Sequence, residues 1–75
     1  MAIVRRLEPR ALHRDTRHTE AECSYSIVPD DAGKPYLQVD TYGSKDRQIP
    51  DKKSQSIRFA PEAIRQLKDL LNKHF

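Results

Sequence analysis

SQSIRFAPEAIRQLKDLLNKHF, residues 54–75, changes its hydrophobic period once, and that change decides the fold class. Up to Phe59 the residues alternate, with Ile57 and Phe59 on one side and Ser56 and Arg58 on the other, the pattern of a half-buried strand. Beyond Pro61, residues Ala63, Ile64, Leu67, Leu70 and Leu71 recur at helical spacing, while Glu62, Arg65, Gln66, Lys68, Asp69 and Lys73 fall on the other side. Pro61 suits a first helical turn, where its missing N–H would have had no partner. Glu62 near the start and Lys73 with His74 near the end complement the helix dipole. A strand running straight into an amphipathic helix predicts that the helix lies on the sheet's apolar face or in a dimer seam, with Phe75 packing across that seam.

The same alternation appears twice upstream. In EAECSYSIV, residues 20–28, Ala21, Cys23, Tyr25 and Ile27 share one face, and Glu22, Ser24 and Ser26 the other. In PYLQVDTY, residues 35–42, Leu37 and Val39 oppose Tyr36, Gln38, Asp40 and Tyr42. Between them PDDAGK, residues 29–34, supplies Pro, Asp and Gly, residue types that make a tight turn, so a hairpin is expected. A short extra strand at Gln48 and Ile49 would be confined to an edge or bulge by Pro50, which has no N–H to donate. These pieces predict an α+β fold of three to four antiparallel strands followed by a C-terminal amphipathic helix.

Residues 1–19 read as a basic tail, mobile or ordered by a partner, and residues 20–75 as a single sheet-plus-helix domain. In the tail, Ile3, Val4 and Leu7 suit either a short strand or one helical turn, because neither period persists. A chain of 75 residues hides only about 60% of the surface its unfolded form exposes, so a second copy would help its core. There is no apolar run of the roughly 20 residues a membrane span needs and no signal-peptide pattern after the first arginines. A soluble, cytoplasmic protein without membrane contact is expected.

Cys23 is the single cysteine and is expected to pack rather than react, since no Cys/His nucleophile pattern surrounds it. The five-residue spacing of His13, His18 and Cys23 matches no zinc pattern and leaves a fourth ligand unnamed. Asp40, Asp46, Asp51 and Glu62 form no paired acid/base spacing, and there is no glycine-rich phosphate cradle. Neither an enzyme, nor a metal, nor a cofactor is expected.

The formal net charge is only +3, but residues 43–58 carry five cations against two anions, whereas residues 21–42 are net negative. Such concentration attracts phosphates despite a small total. Sequence-tolerant binding of single strands needs cations that track phosphates and flat side chains on which bases stack. Lys45, Arg47, Lys52, Lys53 and Arg58 supply the first and Tyr36 and Tyr42 the second, with Gln38, Ser54 and Ser56 offering hydrogen bonds. The expected function is therefore single-stranded DNA binding with little sequence specificity, RNA or duplex DNA being variants of the same idea. The alternative is a small protein–protein interaction module, regulatory or antitoxin-like, in which the charged loop merely keeps a sheet edge soluble.

LQVDTY, GSKDRQIPDKK, SQSIRF and PEAIRQLKDLL, taken in order, resemble the end of the positive cofactor four family of transcriptional coactivators: strand, charged connection, strand, amphipathic helix. The resemblance covers residues 21–75 and is one of pattern. Ser56 stands where the family usually has glycine, and Tyr42 is the nearest aromatic to the family's hairpin tryptophan. The resemblance implies a curved antiparallel sheet, homodimerisation through the C-terminal helix, and single-stranded DNA lying along the sheets of two subunits.

Overall fold

The structure, a computed structural model, describes residues 1–12, 18, 20–42 and 55–75. Strands β1 (Ala2–Val4), β2 (Cys23–Pro29), β3 (Pro35–Thr41) and β4 (Gln55–Phe59) precede one helix, α1 (Pro61–His74). They form one sheet in the order β1-β4-β3-β2. β2 and β4 both run antiparallel to β3, but β1 runs parallel to β4. The sheet is thus mixed, which corrects the all-antiparallel expectation at one edge. Residues Ala2–Val4, read from sequence as part of the tail, are that edge strand. Three residues are too few for a period of two to stand out from a single helical turn, so only tertiary pairing reveals them.

The β2–β3 hairpin closes as its residue types predict. Asp30 Oδ1 accepts the N–H groups of Ala32 at 2.9 Å and Lys34 at 2.8 Å, and the backbone oxygen of Asp30 accepts Gly33 N–H at 2.9 Å. Gly33 sits at φ +81, a conformation that a Cβ would strain. The in-register rows of this sheet are then fixed. One face carries Ala2, Ile57, Val39 and Tyr25 in one row and Val4, Phe59, Leu37 and Ile27 in the next. The opposite face carries Ile3, Arg58, Gln38 and Ser26, and beside them Ser56, Asp40 and Ser24.

The helix follows β4 after one residue. Ala60 has extended backbone and no side-chain cap; its N–H goes instead to Val4 O at 2.9 Å, and its carbonyl accepts Ile64 N–H at 2.9 Å. Pro61 fills the first turn with Glu62, and Lys73 and His74 occupy the last. The chain leaving β1 is fastened along α1. Gln66 accepts Leu7 N–H at 2.9 Å and donates to Leu7 O at 3.1 Å, so one amide side chain replaces a strand neighbour for that residue. Arg5 pairs with Glu62 at 3.1 Å.

Burial is small. Among the described residues only Ala60 and Ala63 are buried apolar residues, and no large side chain is fully enclosed. The apolar sheet face, expected to be the covered one, leaves Tyr25 75% and Ile27 64% exposed. Leu70, Leu71 and Phe75 at the far end of α1 are exposed as well. None of the helices among the described residues is long and apolar enough to cross a membrane.

Candidate nucleic-acid interface

Strand alternation sets Tyr36, Gln38 and Asp40 on one face of β3, and pairing with β4 sets Arg58 beside Gln38 and Ser56 beside Asp40. Their side chains form one chain of hydrogen bonds. The Gln38 oxygen accepts both Nε, at 3.0 Å, and Nη2 of Arg58. The Gln38 nitrogen donates to the Asp40 carboxylate at 3.0 and 3.2 Å, and Ser56 Oγ donates to the same carboxylate at 2.5 Å. Only this orientation of the amide gives the cation an acceptor and the anion a donor, so the charges at Arg58 and Asp40 lock Gln38 in place. Among the described residues Arg58 Nη1 makes no hydrogen bond, which leaves part of a rigid, planar fork available.

That network corrects the expected roles of two residues. Gln38 is 6% and Asp40 2% exposed, so the centre of this face is not an open platform. Gln38 and Ser56 do not offer spare hydrogen bonds to a ligand; they spend them on Arg58 and Asp40. Tyr36, Arg58 and Tyr42 along the face are half-buried, as are Ser24 and Ser56. Tyr42 hydroxyl and Ser24 Oγ are 2.6 Å apart, which ties the residue after β3 to the edge strand, and Tyr42 N–H donates to Glu22 O at 3.0 Å. Lys45, Arg47, Lys52, Lys53 and Ser54 lie outside the described residues, as do Gln48 and Ile49, where an extra strand was expected, and His13.

At the other end of β3 the fold assembles cations that sequence inspection missed. The Arg5 guanidinium carbon lies 6.0 Å from the centre of the Tyr36 ring, within reach of a cation–π contact. The neighbouring Tyr36 side chain, and after it Glu62, raise the pKa of Arg5 above its ordinary value. Lys34 and Arg65 join Arg5 and Tyr36 around a cavity of about 320 Å³. These residues are some thirty positions apart in the chain, and Arg5 reaches the cavity only because β1 pairs with β4. No local motif announces them; the one signal was an isolated arginine run beside Ile3 and Val4.

On the apolar face a second cavity of about 520 Å³ is lined by Met1, Ala2, Val39, Thr41 and Ile57. Cys23 lies on the same face and is exposed. Among the described residues no group of three His, Cys, Asp or Glu side chains is arranged to hold a metal ion. No protein-family model, curated protein or solved structure matches the chain.

Proposed function

We propose that this protein binds single-stranded nucleic acid, DNA in the first place, with little sequence specificity, and acts as an accessory factor in transcription or DNA metabolism. The observation that carries this is the immobilised Arg58 fork set between half-buried Tyr36 and Tyr42 on one sheet face. Six residues of extended strand separate the two tyrosines by about 20 Å, room for more than one base to meet an aromatic ring while the cation meets a phosphate. Lys45, Arg47, Lys52 and Lys53, which follow Tyr42 in the sequence, would extend the phosphate track. The pattern resemblance of residues 21–75 to the positive cofactor four family supports the same assignment.

The working unit is a homodimer. Tyr25, Ile27, Leu70, Leu71 and Phe75 are apolar side chains that a lone subunit leaves wholly or partly in water, and covering each would contribute about 1–2 kcal/mol. A second copy, joined through the C-terminal helix and the apolar sheet face, covers them. The same exposed residues favour a second reading, a protein–protein interaction module whose partner is a different protein. Titration of labelled single-stranded and duplex oligonucleotides separates the two. Binding function predicts preference for single strands, weakened by Tyr42→Ala and by Lys52→Ala/Lys53→Ala; absence of any oligonucleotide binding leaves the interaction module.

A further inference from the structure

The cavity around Tyr36 closes one end of the polar face. Its walls are the hairpin turn that carries Lys34 and the first turns of α1 that carry Glu62 and Arg65. A strand that reaches Tyr36 therefore meets a wall there rather than an open edge. Two carboxylates border the cavity, Asp30 and Glu62. Asp30 is engaged by the turn's own N–H groups and Glu62 by Arg5. The ammonium of Lys34 and the guanidinium of Arg65 make no hydrogen bond or ion pair among the described residues, and both residues are exposed. Three cations against two engaged anions leave the pocket net positive, with Tyr36 in its lining.

That combination suits a nucleotide at a chain end better than one in the interior. A terminal phosphomonoester carries close to two negative charges at neutral pH and three acceptor oxygens, against a single charge on an internal phosphodiester. From the wall, the ring and the two uncommitted cations, we infer that this cleft receives the phosphorylated end of a single strand. The terminal base packs beside Tyr36 and the Arg5 that covers it, and its phosphate lies between Lys34 and Arg65. The inference rests on the single-strand reading above and adds a preference for ends that a sheet-face site alone would not have.

The test compares one single-stranded sequence in four forms: hydroxyl-ended, 5′-phosphorylated, 3′-phosphorylated and covalently circular. The full chain and its Lys34→Ala/Arg65→Ala variant each bind all four; both substitutions are at exposed positions, and thermal melting checks that folding is retained. A phosphorylated end is expected to tighten binding about five- to ten-fold over the hydroxyl end, equivalent to one added charge contact. The double variant should lose that preference while binding the circle as the unaltered protein does. The two phosphorylated forms show which end enters. Equal binding of circular, hydroxyl-ended and phosphorylated strands by the unaltered protein, or a preference that survives in the variant, overturns the end site and leaves the face reading intact. Failure to bind any of the four overturns both.

Discussion

Gln38 holds Arg58 by its side-chain oxygen, accepting the Nε hydrogen bond at 3.0 Å, while its nitrogen serves the Asp40 carboxylate. The amide thus links a cation to an anion across two strands, and neither charge is left without a partner in a poorly solvated place. Gln38→Leu keeps the volume but removes both functions. Hydrogen bonds to charged groups are worth about 1.5–3 kcal/mol, and a buried ion left unsatisfied costs more, so the variant should lose about 3 kcal/mol of stability. Urea unfolding at constant m-value measures it, and an unchanged midpoint would show that the amide is not a link in the fold.

Gln66 does for the N-terminal arm what Gln38 does for the sheet. With its two hydrogen bonds to the Leu7 backbone gone, Gln66→Ala should cost about 1–2 kcal/mol. The Leu7 amide should then exchange with solvent well ahead of the amides in β3, because the arm has lost its only strand-like partner among the described residues. Native-state hydrogen exchange reads this directly.

Gly33 offers a separate check on the hairpin. No atom lies within 4 Å of where a Cβ would stand, so Gly33→Ala meets no clash, only the penalty of holding φ at +81. A loss of about 1 kcal/mol is expected. A neutral or stabilising result would mean that the turn does not hold the left-handed geometry described here.

Leu70 and Leu71 test the dimer. Leu70→Glu/Leu71→Glu places two charges in the proposed seam. Sedimentation should show the unaltered protein at twice the mass of the double variant at micromolar concentration. If both sediment as monomers, the exposed apolar residues belong to some other interface.

The elements built on repetition were legible in the sequence. Three strands show at least two full alternations each, and α1 shows five apolar residues on a helical stripe. β1 was not, since Ala2–Val4 is shorter than any period and its pairing with β4 spans most of the chain. The membership of each sheet face was also legible: Tyr36, Gln38, Asp40 and Tyr42 do share a face. Which face lies under cover was not, because alternation tells what points together and says nothing about what is stacked above it. Gln38 and Asp40, polar and expected outside, are buried by satisfying each other and their neighbours, while apolar Tyr25 and Ile27 stay exposed. The convergence of Arg5, Lys34 and Arg65 on Tyr36 depends on topology alone. Lys45, Arg47, Lys52 and Lys53 carry the largest share of the expected charge and lie outside the described residues.

The claim that a phosphate backbone meets the Arg58 fork has a direct measure in the salt dependence of binding. For a labelled single-stranded oligonucleotide, the slope of log K against log salt between about 50 and 200 mM should be steep and negative, at about −0.7 for each phosphate neutralised. Arg58→Met should make that slope shallower by about 0.7 while the protein stays folded, because one such contact is lost. A slope near zero in the unaltered protein, or one that Arg58→Met leaves unchanged, would contradict the account.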